Sequence, residues 1–316
     1  MQRYIIRRIG EAVLALLALS IIIFLMVRLT GDPALLMLPP DAGKEALEDL
    51  RHSMGVDKPL VVQYGLFIRD YSTGSFGDSL RSKSPVSELI KDRLPNSMKL
   101  VGAAALIVIL ISIPLGVLSA VYKGTWIDTA CTGIAVLGQA IPVFWLEYNM
   151  VYLFAVKLRW LPALGYESIS DGIVPWLRSI AMPSICVGVI AAALPARITR
   201  STMLEILKDD YVRTARAKGL SMKIVVNKHA MKNAMIPILT IASVQFGYLL
   251  SGSVIIEQIF GLPGIGWFFL QGLLDRDYPV VQIMALFMVC VFVFVNLITD
   301  IAYAYLDPRI KYNMEQ

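Results

Sequence analysis

Few side chains in this sequence are chemically active, and their positions narrow what the chain does. Glu147 and Asn149 sit in the middle of the apolar run GQAIPVFWLEYNMVYLFAV, which Pro142 interrupts. A carboxylate at membrane depth costs about 2.5 to 3.5 kcal/mol on insertion scales, so Glu147 is expected to face a helix bundle or a water-filled path. Two readings of it stay open. Either it lines a path and favours a cationic group, such as a peptide amino terminus or a guanidinium, or it stays neutral or bonded to a neighbouring span and only packs the bundle. Gln139, Gln245, Tyr248 and Asn296 are weaker candidates for a path, because hydrogen bonding between helices explains each as well as pore lining does. Catalytic chemistry has less support. Neither His52 nor His229 stands in HExxH, and Ser251 and Ser253 have no base that spacing would bring to them. Cys131, Cys186 and Cys290 lie singly in apolar runs, where they are expected to pack helices rather than bind metal or form a disulfide framework. The sequence contains no GxxxxGKS/T loop, so nucleotide is expected to bind elsewhere.

The elements that carry these residues are expected to be membrane helices. Of the 316 residues 57% are hydrophobic and 17% charged, and the mean hydropathy is +0.66. That is too apolar for a soluble domain, which must cover its surface with polar groups. Crossing ~30 Å of hydrocarbon as helix takes about 20 largely uncharged residues. Windows of that kind start near Ile9, Leu100, Thr129, Ser179, Ile238 and Val280, so the expected fold is an all-α polytopic membrane protein with six transmembrane helices. The first window follows Arg3, Arg7 and Arg8, as a secretory signal would. Its apolar run nevertheless reaches Val27, beyond the ~7 to 15 residues of a signal core, and Arg28-Leu29-Thr30 lacks a small-x-small cleavage pattern, so it is expected to stay as a span.

Lys and Arg concentrate in cytoplasmic loops. The amino-terminal arginines, the tail with Arg309 and Lys311, and the stretch from Arg197 to Lys232 with Arg200, Lys208, Arg213, Arg216, Lys218, Lys223 and Lys228 then all fall inside, and both termini are cytoplasmic. Residues 1–29 form the amino terminus and first helix, 30–97 an extracytoplasmic subdomain, and 98–316 the remaining five helices. Within 30–97, DAGKEALEDLRHSMG has helical spacing and YSTGSFGDSL reads as turns. Trp160 and Trp176 fall where an interfacial aromatic belt would put them. After the fifth window, Gly261, Pro263, Gly264 and Gly266 prevent a regular helix. Irregular backbone at membrane depth must be buried in protein or face water, which predicts a folded-in loop on the outer side.

The basic stretch KDDYVRTARAKGLSMKIVVNKHAMKNAMIP has a pattern of its own. Leu204, Leu207, Tyr211 and Ala215 recur on one helical face, with Lys208, Asp209, Arg213 and Arg216 mainly off it. Gly219 stands where a left-handed residue ends a helix, with Lys218 in the last turn to complement the dipole. Ser221 is placed to N-cap a second helix bearing Met222, Val225, Val226 and His229, although Ile224 denies it a full capping box, and Pro237 marks the start of the fifth span. Both helices either pad the inner ends of the bundle in the headgroup region, or dock as a compact element on a separate cytoplasmic protein.

YVRTARAKGLS followed by HAMKNAMIP resembles the cytoplasmic coupling loop of ABC importer permeases, in particular the dipeptide, oligopeptide and nickel permease family. The likeness extends along nearly the whole chain, through RYIIRRI, GDSLRSKSPVSELIKDRLPNS, IPVFW, FGLPGIG and YAYLDPRIKY. The resemblance implies a multi-pass permease subunit of a bacterial inner membrane, with a coupling loop over 201–236. Leu207, Tyr211, Arg213, Thr214, Ala215, Gly219, Leu220 and Ser221 would sit in a cleft of an ATP-binding subunit. Arg213, Thr214 and Ala215 occupy the places where the broader ABC importer pattern has a Glu-Ala-Ala triplet before its Gly. The later Leu-Pro of that pattern is displaced too, Pro237 coming farther on; both departures resemble the peptide and nickel branch, and no salt bridge from the missing Glu carries over. Glu147 also departs from the apolar residue usual there in the family.

The implied partners are a second, related permease subunit, two ATP-binding subunits, an extracytoplasmic binding protein and membrane lipid, with no nucleic acid and no metal. ATP and magnesium would bind on the ATPase subunits and no cofactor on this chain. Gly261, Pro263, Gly264 and Gly266 would form an outer scoop where the pore is capped and, with the 30–97 segment, the binding protein docks. A secondary transporter or channel is the alternative, but residues 1–156 and 157–316 show no convincing internal repeat, and an intramembrane enzyme has the weaker support described above.

Overall fold

The computed structural model describes residues 2–29, 34, 35, 38, 43–53 and 55–306. Arg309 and Lys311, which contribute to the expected orientation, lie outside them. Among the described residues regular structure is helical, apart from one isolated bridge between Asp78 and Pro85. The helices are α1 (Gln2–Leu29), α2 (Lys44–Ser53), α3 (Leu60–Thr73), α4 (Val86–Val121), α5 (Trp126–Ala140), α6 (Val143–Met150), α7 (Ile173–Ile206), α8 (Asp210–Ala217), α9 (Met231–Phe260), α10 (Ile265–Leu274) and α11 (Tyr278–Leu306). Four helices among the described residues contain stretches long and apolar enough to span a membrane. The number rises to as many as six when α5 with α6, and the end of α9 with α10, each count as one broken span, the second pair lying later in the chain than the window expected from Ile238.

The break in the third span has a local cause. Pro142 has no backbone N–H and biases the residue before it away from the helical region. Ile141 and Pro142 are both extended (φ −77, ψ 124 and φ −62, ψ 134), and α5 and α6 are bent by 98° across them. The interruption read from sequence is therefore a sharp corner, after which α6 passes into a π-helical turn at Val151–Lys157. The glycine cluster behaves differently from expectation over part of its length. Gly261 ends α9 in a left-handed conformation (φ 64), with Leu262 N–H bonding back to the Glu257 carbonyl at 2.8 Å. Regular helix then resumes, so Gly266 lies inside α10 and only 261–264 is irregular.

The chain divides into two compact units. In the first, residues 1–5, 98–262 and 295–316, α7 is the central helix and is mostly buried against α5, α6 and α9. Its core gathers Leu100, Val101 and Ala104 of α4, Met182, Cys186 and Ala191 of α7, and Leu249, Ile256 and Phe260 of α9. Small residues let α4 and α7 approach closely: a Cβ on Gly116 would stand 2.5 Å from Thr199 Cβ. In the second unit, residues 6–97 and 263–294, Val86, Ile90, Ile265, Phe268, Val280 and Met284 form the core. Polar ties fix its loops: Ser79 donates to buried Asp277 at 2.6 Å, Asn96 donates to the Pro263 carbonyl, and Arg81 pairs with Asp275.

Candidate functional site

The basic segment is built in two steps between α7 and α9. α7 continues to Ile206, so Arg197, Arg200 and Leu204 belong to a long, largely buried helix rather than to a loop, and the connecting segment proper is Leu207–Ala230. A turn at Leu207–Asp209 separates Leu204 and Leu207 from α8, which corrects the single amphipathic face drawn through them and Tyr211 and Ala215. The buried side chains of α8 are Val212 and Ala215. With Val225 they form a small cluster supported by Ile206, Leu207 and Leu220, whereas Tyr211 is 38% exposed. Val212 was missed because it follows Tyr211 directly, and the aromatic ring carried the stronger apolar signal.

Gly219 takes the left-handed conformation expected of it (φ 83), and its N–H bonds the Arg216 carbonyl at 2.9 Å. Ser221 occupies the N-cap backbone position (φ −62, ψ 148), but its side chain makes no capping bond. The second helix is one α-turn, Met222–Ile224, followed by a π-helical turn, Val225–Ala230, that runs into α9 without interruption. Pro237 accordingly lies inside α9 and does not begin it. Val226 and Ala230 pack with Ala234, Ile238, Met203 and Ala120, so the segment is seated on the ends of α4, α7 and α9. Asn233 also donates to the Tyr211 hydroxyl at 2.9 Å. The surface left outward carries Arg213, Thr214, Arg216, Lys218, Gly219, Ser221, Lys223 and Lys228, with two large exposed apolar groups, Tyr211 and Ile224 (44% exposed).

Close to this segment lies a polar cluster that sequence reasoning missed. Asp128, in the first turn of α5, accepts from Arg200 Nε at 2.9 Å on Oδ1 and from Arg200 Nη2 at 3.0 Å on Oδ2. The Ser119 hydroxyl of α4 donates to Oδ1, and the Gly124 N–H donates to Oδ2 at 3.0 Å. Arg200 and Asp128 are 72 positions apart, so no local spacing could reveal the pair.

The path candidates are not brought to one place. Glu147 is fully buried on α6, and among the described residues neither carboxyl oxygen has a hydrogen-bond partner. Its helix neighbours Leu146 and Met150 pack into the core that contains Met182 and Cys186. Asn149 is exposed and donates to the Trp145 carbonyl at 2.7 Å, since two residues along a helix turn a side chain to the far face. Gln139 is exposed and accepts from Arg197 at 3.3 Å. Gln245 is buried beside a cavity of about 220 Å³ lined by Val108, Leu239, Phe246 and Leu249. Asn296 is half-buried, and the Tyr248 side chain lies outside the described residues. Among the described residues no three His, Cys, Asp or Glu side chains are grouped to hold a metal ion.

Known proteins resemble the chain over almost its full length. Residues 112–312 match the family described as binding-protein-dependent transport system inner membrane component, and residues 1–101 match the corresponding amino-terminal family. A probable peptide ABC transporter permease of Sinorhizobium fredii is 37% identical over 310 residues, covering 98% of this chain and 99% of that one. A putative peptide transport system permease of Brucella abortus is 40% identical over 314 residues, covering 99% and 100%, and a dipeptide transport permease of Alkalihalophilus pseudofirmus is 38% identical over 333 residues with the same coverage. Among solved structures, an inward-facing form of the MetNI methionine ABC transporter matches with a TM-score of 0.59 at 17% identity, over 69% of this chain and 96% of that one. With the amino-terminal and the main family models matched in order along one chain, this protein belongs to the inner-membrane components of binding-protein-dependent transport systems.

Proposed function

We propose that this permease forms half of the translocation path of an ABC importer in a bacterial inner membrane, with both termini cytoplasmic and residues 30–97 outside. The solute is a peptide or a related small molecule, as the names of relatives at 37 to 40% identity suggest for this chain too. An extracytoplasmic binding protein delivers it. A second, related permease completes the path, and two ATP-binding subunits hold ATP and magnesium and perform the hydrolysis. The irregular 261–264 backbone and the 30–97 segment cap the outer end.

The observation that carries this reading is the way the Leu207–Ala230 segment divides its side chains. Its apolar face is already used: Val212, Ala215, Val225 and Val226 are buried on the protein's own helices. A helix that only lay in the headgroups would turn that face to lipid. What remains outward is a basic surface bearing Tyr211 and Ile224, the composition of a groove-filling contact with another protein. Because the segment runs directly into α9 and is one turn removed from α7, a push on it moves both long helices.

Gly219→Pro tests this. Proline fixes φ near −65°, which the left-handed turn at φ 83 cannot accept, while the helices on either side keep their own bonding. Reconstituted in nanodiscs with its partners, the wild type is expected to hydrolyse ATP faster when the binding protein is added, and Gly219→Pro to lose that stimulation with the complex intact. Undiminished stimulation and uptake would return the segment to a padding role.

A further inference from the structure

The apolar contacts at this end of the first unit leave one element weakly held. α4 and α7 meet closely at Gly116 and Thr199, and Ala120, Met203 and Val226 join them to the 207–230 segment. The stretch that turns from α4 into α5 has no such seat. From Tyr122 to Ala130 every residue is exposed or half-buried except Asp128, which is 8% exposed. Trp126, the largest side chain there, is 79% exposed. Within this turn the buried tie to α7 is the Asp128 carboxylate, whose two oxygens take the planar fork of Arg200 within two turns of the end of α7, beside an Arg200 bond to Ser119 at 2.8 Å; farther along, α5 packs on α7.

We propose that Arg200 and Asp128 are positioning residues that latch the α4–α5 turn to the end of α7, so that motion of the 207–230 segment reaches the start of α5 directly as well as α7 and α9. The inference rests on the importer reading above. Apolar side chains slide past one another with little directional penalty, whereas a bidentate guanidinium–carboxylate contact fixes both distance and orientation. The Ser119 hydroxyl and the Gly124 N–H occupy further positions around the same carboxylate, so it cannot rotate to follow a displaced Arg200 without losing them. α5 leads into the Pro142 corner, and a latch at its start carries displacement toward the arm that bears Glu147.

The test measures ATP hydrolysed per solute imported in proteoliposomes holding the whole transporter. Asp128→Asn keeps the shape and removes the charge, and Arg200→Lys keeps the charge and removes the fork. Both are expected to assemble and to raise that ratio about ten-fold, because hydrolysis continues while less of it moves α5. A ratio at the wild-type value in assembled variants, whether both rates stay normal or fall together, overturns the proposal and makes the pair a structural tie only. Should the charge variants fail to assemble, Ser119→Ala decides, with about a two-fold rise expected from loss of its bonds to Asp128 and Arg200 and no rise counting against the latch. A wild type without ATP-driven uptake would overturn the importer reading and this inference with it. A coupled wild type with indifferent variants overturns the inference alone.

Discussion

Asp128 and Glu147 stand on the two arms of the helix that Pro142 breaks, both buried, in opposite surroundings. Asp128 is matched by a guanidinium fork, a hydroxyl and a backbone N–H, and holds three stretches of chain together. Glu147 is 0% exposed, and among the described residues neither of its oxygens finds a hydrogen-bond partner. A buried carboxylate with its donors in place acts as a fastener, while one without them opposes folding relative to an apolar side chain of similar size. Stability therefore accounts for Asp128 and not for Glu147.

The largest expected effect breaks the first half of this contrast. Asp128→Ala leaves Arg200 only its bond to Ser119 and takes the acceptor from two further donors, and is expected to remove about 2 to 4 kcal/mol of stability, below the full range for deeply buried pairs because the Arg200 side chain is 31% exposed. Thermal unfolding of the purified protein in detergent measures it; a loss under about 1 kcal/mol would place the pair among ordinary surface ion pairs. Glu147→Leu is expected to act with the opposite sign. Removing an unmatched carboxyl while filling most of its volume should leave stability unchanged or raise it by about 1 to 2 kcal/mol. A destabilisation as large as that of Asp128→Ala would mean that the carboxyl has a structural partner, and the contrast would fail.

Much of the architecture was legible because it depends on local chemistry. Pro142 announces the corner between α5 and α6, and Gly219 the left-handed turn, since a missing N–H and a missing Cβ act where they stand. Window hydropathy found the apolar stretches, but not how far their helices extend. α7 carries Arg197 and Arg200 because a helix does not end where hydrophobicity does, and Pro237 sits inside α9 because the preceding π-helical turn already sets the helical path. The 207–230 segment was located from its motif, but Val212, which seats α8, lay outside the face drawn through Leu204, Leu207, Tyr211 and Ala215. The Arg200–Asp128 contact was out of reach for a stronger reason. In the sequence Arg200 is one basic residue among many, and Asp128 falls just before the apolar window that starts near Thr129.

The smallest expected effect concerns what Glu147 does during transport. Its unmatched oxygens lie within the packing of α6 against α7, so a solute reaches them only in a conformation that parts those helices. A cationic group arriving there would meet the carboxylate as its counter-charge and supply the partner that the packed helices do not, whereas a neutral solute gains nothing from it. Glu147→Gln keeps size and polarity and removes the charge. Uptake of a peptide with a free amino terminus is expected to fall about five-fold, near 1 kcal/mol, with uptake of an uncharged analogue unchanged. Equal uptake of both solutes by the variant would assign Glu147 to bundle packing, and the Glu147→Leu measurement would then have to show a stabilising partner for it. The two substitutions together separate a carboxyl reserved for the solute from one that the helices themselves require.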